Sequence, residues 1–260
     1  MVQVPKPHVR EAFVAAAAQT FAELGFAATT MADVAERAHS SVGNLYKYFA
    51  NKQQLFDAAV PPELVQELTR RTRARIRALG TAKDVRELEA GARYHALAGD
   101  LLDYCLANRA AVVVVLARAE GTDFAQFGAD FVEMLGEWAL DYARVAYPAL
   151  KVTRALRFAL HHAYRSFVSG VAEALQSFPE EAEARAVISL LTSQHQGGLK
   201  RLFETGGEPD AQSLHAGKPS VGATAARARV GNPRATGANS SAAGAGAGKT
   251  DRARRAGRRR

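Results

Sequence analysis

Between Glu63 and Gly206 the apolar residues recur at steps of three and four, and that spacing limits the chain to helices. The clearest run is Leu156, Leu160, Ala163, Phe167, Val171 and Ala174, a single stripe on a helix of 3.6 residues per turn. The pattern predicts helices near 63–78, 85–107, 123–146, 154–177 and 180–204. The stretch AAVVVVLA, Ala110 to Ala117, looks locally like a buried strand. With helices on both sides and no second strand candidate, it reads as helix, and it is too short to cross a bilayer. The expected class is therefore all-α. Pro61-Pro62 must end the preceding helix near Ala59, because an internal proline removes a hydrogen bond and clashes with the turn before it. Pro62 is suited to open the next helix. This places a domain boundary after residue 60, with a second helical domain over 61–208 and a tail over 209–260.

The first sixty residues carry a denser signal. Phe13, Ala17, Phe21 and Leu24 mark one helical face over 10–25, and Gly25 is placed to stop it. Thr30 followed by Asp33 fits a capping box for a short helix, Met31 to Arg37. Ser41 can cap a third helix, Val42 to Phe49, and Asn51 a fourth. Helix 31–37, turn 38–40 and helix 42–49 have the dimensions of a helix-turn-helix. Met31, Val34, Ala35, Leu45 and Phe49 fall on one side and can pack on Phe13 and Phe21. Val42, Gly43, Asn44, Tyr46, Lys47 and Tyr48 form the outward set. Gly43 keeps the N-terminal turn slim, Asn44 can bond an adenine edge, and Val42 can meet a thymine methyl. Tyr46, Tyr48 and Lys52 can reach phosphates, which position a protein without reading sequence. Thr30, at a helix N-terminus, adds a phosphate site. Ser41, at the start of the reading helix, joins the candidate DNA-binding set.

FAELGFAATTMADVAERA followed by VGNLYKYFANKQQLF resembles the DNA-binding domain of the TetR family of transcriptional regulators, over about the first 57 residues. The resemblance implies that Leu45 and Phe49 are core. It implies phosphate contacts for Thr30, Tyr46, Tyr48 and Lys52, and base contacts for Val42, Gly43, Asn44 and Lys47. It further implies a ligand-responsive repressor: a homodimer built on the last two helices, bound to a pseudo-palindromic double-stranded operator, with a small-molecule effector pocket among the middle helices. Candidate pocket residues are Tyr94, His95, Tyr104, Arg118, Phe127, Phe131, Trp138 and Tyr142. Each taken singly reads first as core packing, since aromatics at helical spacing are usually core. Gly197 and Gly198 interrupt the last helical pattern, either as a close-packed dimer seam or as a helix end. The family's turn usually reads Ala-Gly-Val-Ser, whereas here it is Ala38-His39-Ser40-Ser41, with His at the left-handed position that normally takes Gly.

Charge is unevenly placed. The chain has a formal net charge of +8, but from Pro209 onward eleven Lys and Arg face two Asp and Glu, and the other 208 residues carry 23 against 24. Residues 1–60 are neutral, five basic against five acidic, so they gain little long-range attraction to DNA by themselves. The Ala-, Gly-, Ser- and Arg-rich tail has no aromatic residue and is expected to be disordered. It fits a solubilising extension and a nonspecific DNA arm equally. On the arm reading the chain is alternatively an architectural DNA-binding protein. The lone cysteine, Cys105, excludes an internal disulfide and reads as a buried apolar side chain in a reducing compartment. His161, His162 and His195 lack the i, i+4 spacing of a helical metal pair. No phosphate loop, nucleophile elbow or paired catalytic carboxylates occur, so neither an enzyme nor a cofactor is expected. The apolar stretch FVAAAAQTF is bracketed by Arg10, Glu11 and Glu23 and reads as a helix rather than a signal peptide. The expectation is a cytoplasmic protein without a membrane partner.

Overall fold

The computed structural model describes residues 6–206. The basic tail, with its disorder and arm readings, lies outside them. Every regular element among the described residues is helical. Helix α1, Pro7–Leu24, starts on a proline and stops at Gly25, which takes a positive φ of 80°. Helix α2, Met31–Arg37, starts on the expected capping box: Asp33 N donates to Thr30 Oγ1 at 3.2 Å, and Thr30 N donates to Asp33 Oδ2 at 2.7 Å. The bond from Thr30 N, and then one that the Thr30 hydroxyl donates to Asp33 Oδ2 at 2.8 Å, hold the Asp33 carboxyl below its ordinary range. The α helix capped by Ser41, α3, spans only Val42–Leu45, shorter than the predicted 42–49. Beyond it Lys47 N and Tyr48 N bond three residues back, to Asn44 O and Leu45 O, so the last turn tightens. Helix α4, Lys52–Ala59, has Asn51 as its cap.

Phe13, Phe21, Leu45, Leu55 and Phe56 are buried together between these helices. Burying one such side chain contributes about 1.5–3 kcal/mol. Phe21, Phe26 and Phe56 meet at ring separations of 5.0–5.7 Å.

Helix α5, Pro62–Arg77, opens on its proline as expected. The predicted 85–107 helix divides into a 3-10 turn, Val85–Glu87, and α6, Arg93–Ala107. Asp84 holds the turn by accepting from Arg86 N at 2.9 Å. The valine run is helical but not regular: α7, Arg109–Val113, widens into a π-helical segment, Val114–Arg118. Val112 to Val115 are each at most 1% exposed. A stretch enclosed on every side loses its helical period, which is why it resembles a buried strand. Helix α8, Phe127–Ala146, starts later than predicted, because Thr122 closes a turn by accepting from Phe124 N and donating to Ala119 O. Helix α9, Arg154–Ser177, and α10, Glu181–Thr205, follow the pattern closely. The last runs through Gly197 and Gly198, so these glycines do not end it.

The first and later helices touch through specific bonds. Phe26 N donates to Arg118 O at 3.2 Å, and Gln176 Nε2 donates to Ala22 O at 3.1 Å. Gly128 packs against the π segment so closely that an added Cβ would sit 2.4 Å from Leu116 O. Among the described residues no helix is long and apolar enough to cross a membrane.

Candidate nucleic-acid interface and ligand cavity

The turn between α2 and α3 is held by backbone bonds from His39 N to Glu36 O and from Ser40 N to Ala35 O, both 2.9 Å. His39 takes φ 50°, the left-handed conformation its position requires. Ser40, which stands where an apolar residue is usual, accepts from Asn44 Nδ2 at 3.1 Å. Ser41 Oγ accepts from Asn44 N at 3.2 Å. Two neighbouring serines thus brace Asn44 from below and fix the start of α3.

Around that start the predicted outward residues are brought together. Ser41, Val42, Gly43, Tyr46 and Lys47 are exposed and Asn44 is half-buried. Thr30 is exposed at the start of α2. Leu45 and Phe49 are buried. Two of the residues assigned to phosphate have other engagements. Tyr48 is half-buried, with its ring 5.6 Å from that of Phe13 and its hydroxyl accepting from Lys6 N. The Lys52 ammonium donates to three carbonyls, Phe26 O at 2.7 Å, Thr29 O at 2.8 Å and Ala27 O at 3.3 Å. It also lies 4.4 Å from the centre of the Phe26 ring. Its donors hold the loop between α1 and α2, a role the sequence pattern does not display.

A cavity of about 550 Å³ lies among α5, α6, α8, α9 and α10, with Leu116 of the π segment in its wall. Of the candidate pocket residues, Tyr94, His95 and Phe131 line it. Tyr104 lines a second cavity, of about 510 Å³, beside α5, and Tyr142 a small one of about 130 Å³ near the 3-10 turn. Arg118, Phe127 and Trp138 line none of these three. Arg118 is exposed, Phe127 stacks on Phe131 at 5.4 Å, and Arg73 lies over the Trp138 ring. These are the packing positions that aromatics at helical spacing favour.

The sequence pattern missed Thr72, Arg75, Thr192 and Gln196, which supply polar groups to the large cavity. A signal existed for Arg75. It continues the buried stripe Leu64, Leu68 and Thr72 of α5 at steps of four, four and three, so an arginine stands on an apolar helix face. Cys105 also lines the cavity, and burial pushes its thiol up to about 12. Close by, His195 stacks on Phe167, with ring centres 4.4 Å apart. Burial, and then the Arg75 charge, press the His195 imidazole down to about 4, and its buried Nε2 has no hydrogen-bond partner. His161 sits 2.8 Å from Glu133 on the surface and His162 beside Arg165.

Residues 13–59 match the family model described as bacterial regulatory proteins, tetR family. The N-terminal head is of the tetR family. The match runs from Phe13 in α1 to Ala59 at the end of α4, so it takes in the whole capped unit around the TetR-type turn. No curated protein matches the chain. Among solved structures, native NalD, the secondary repressor of the MexAB-OprM multidrug efflux pump in Pseudomonas aeruginosa, is similar at 18% identity, with a TM-score of 0.35, over 72% of this chain and 96% of that one. The fatty acid degradation regulator FadR from Bacillus halodurans is similar at 17% identity, TM-score 0.37, over 73% and 96%. Tylp, a tetR regulator from Streptomyces fradiae, is similar at 20% identity, TM-score 0.35, over 74% and 86%.

Proposed function

We propose that the protein is a sequence-specific DNA-binding transcriptional regulator, a ligand-responsive repressor that acts as a homodimer on a pseudo-palindromic operator. Residues 1–60 would be the DNA-binding domain and 61–208 the regulatory and dimerisation domain. The observation that carries this reading is the tetR-family head, in which a doubly capped helix-turn-helix leaves Val42, Gly43, Tyr46 and Lys47 exposed at one helix start. An exposed helix start of this kind fits a major groove, and two of them fit successive grooves about one turn apart. Asn44, its Nδ2 already held by Ser40, has Oδ1 left to accept from a base edge.

Dimerisation is supported by what the last two helices leave open. Phe158 of α9 is 73% exposed and Leu190 of α10 is 71% exposed. A Cβ added at Gly197 or Gly198 would meet nothing within 4 Å, so a second copy has room to approach this ridge. The large cavity is the proposed effector site. An effector would release DNA by shifting the dimer to a state with its two DNA-binding heads differently spaced, which requires that it bind the two states with different affinity.

Footprinting of the full chain on DNA fragments selected for binding tests the reading. A short protected palindrome is expected. Asn44→Ala should relax the preference at one base pair of each half-site, by about 1–3 kcal/mol of discrimination. Uniform coverage with no preferred site would sink the proposal.

A further inference from the structure

The large cavity is apolar over most of its wall, with Leu68, Leu101, Phe131, Leu135, Val171 and Ile188 among its lining. Its charged side chains are all basic: Arg75 and Arg185, with no Asp or Glu among the lining residues. The two arginines differ in their partners. Arg185 is neutralised by Asp103 at 2.8 Å and Glu181 at 2.7 Å. Among the described residues Arg75 forms no such ion pair. Its Nη2 and Nε both donate to one neutral oxygen, the Tyr94 hydroxyl, at 2.8 and 3.2 Å, and its guanidinium lies 5.2 Å from the centre of the same ring. Gln196 Nε2 donates to that hydroxyl as well.

Three N–H groups therefore converge on a phenol oxygen that has two lone pairs. A carboxylate has two oxygens and a negative charge, and it is the group whose shape matches two parallel guanidinium N–H bonds. In an apolar surround such a charge pair is far less screened than in water. A cationic ligand would meet the Arg75 charge with no carboxylate among the lining residues to offset it, and a neutral one would leave that charge without a counter-ion.

We infer that this cavity binds an amphiphilic organic anion, an aliphatic or aromatic body with one carboxylate, whose carboxylate pairs with Arg75 beside Tyr94 and Gln196. The inference rests on the effector reading of the cavity and adds the chemical class of the effector. The body fills the leucine- and phenylalanine-lined part of the space. The volume, about 550 Å³, suits a molecule of ordinary metabolite size.

Calorimetric titration of the full-length protein with octanoate, dodecanoate and 1-naphthoate, each beside its alcohol and its quaternary ammonium analogue, tests this below the micellar concentration. At least one carboxylate should bind about tenfold or more tighter than its alcohol, because a desolvated bidentate ion pair replaces a single neutral contact. The ammonium compounds should bind weakest. Arg75→Gln should remove the preference for the carboxylate while leaving alcohol affinity within about twofold, and Arg75→Lys should keep part of it. The retained alcohol binding shows that the variant is folded. Equal affinity for carboxylate and alcohol, no binding by any probe, or an unchanged preference in Arg75→Gln would overturn the inference. Operator binding by the unliganded protein is measured alongside. If DNA is bound and the carboxylates are not, the ligand class fails and the regulator stands; if carboxylates bind but no operator is found, the reverse holds.

Discussion

The head and the later helices solve the same problem, how to start a helix, in different ways. In the head, α2, α3 and α4 each begin on a side chain that accepts from the backbone three residues on: Thr30, Ser41 and Asn51. Of the later α helices only α9 does so, through Thr153, while α5, α6, α7, α8 and α10 have no side-chain cap bond. They are fixed instead by groups far away in sequence. Arg109 donates to the carbonyls of Phe178 and Pro179, and Lys200 pairs with Asp84 at 2.7 Å. Tyr147 donates to Lys83 O at 2.9 Å. A head that is locally determined keeps the geometry of its reading helix whatever happens elsewhere. A body joined by distant contacts can change as a whole when one of them changes.

The comparison can be broken at several points. The largest effect should come from the body. His195 is held neutral in the folded state, at about 4, while in the unfolded chain it takes a proton near 6.5. Between those values the unfolded chain binds more protons, so stability falls as pH falls. Urea unfolding at pH 7 and pH 4.5 should show the wild type losing about 2–3 kcal/mol more than His195→Phe. Equal losses would mean that the imidazole is not insulated from water. Next is Lys52→Ala, which tests whether the head is as local as its caps suggest. Removing the donor to three carbonyls should cost the fold about 2 kcal/mol. An unchanged melting temperature with uniformly weaker DNA binding would return Lys52 to the phosphate role. Thr30→Ala should cost about 1 kcal/mol, whereas Glu180→Ala, at the uncapped start of α10, should stay within about 0.5 kcal/mol. Similar losses for the two would remove the contrast. The smallest change should be a gain. His39→Gly relieves a left-handed residue and should stabilise the protein by about 0.5–1 kcal/mol in a thermal melt.

This contrast also explains what was legible in the sequence. Caps and turns are written within four residues, so Thr30 with Asp33, Ser41, Asn51 and His39 are recognisable from their immediate neighbours. The apolar period marks α9 and α10 nearly to the residue, because each packs one continuous stripe. The cavity is harder to read. Its wall is assembled from five helices, the 3-10 turn and the π segment, and nine of its 23 lining residues are leucine, valine or isoleucine, which no local rule separates from core. Large aromatics are therefore a mixed guide: Tyr94, His95 and Phe131 reach the cavity, but Trp138 and Phe127 pack elsewhere. The role of Lys52 is hidden for a related reason: its three acceptors are 23 to 26 residues away.

A π turn is an α helix carrying one residue more than its ladder needs. In Val114–Arg118 the surplus shifts the helix out of phase with what precedes it. Val112 and Val113 can stay in the core while, a few residues on, Leu116 faces the cavity and the Arg118 carbonyl faces Phe26 N. Deleting one residue there would close the wide turn into a regular ladder and take away the position from which Leu116 O meets Gly128. Length at this place is thus a property of its own. The segment should tolerate changes of side chain far better than a change in the number of residues.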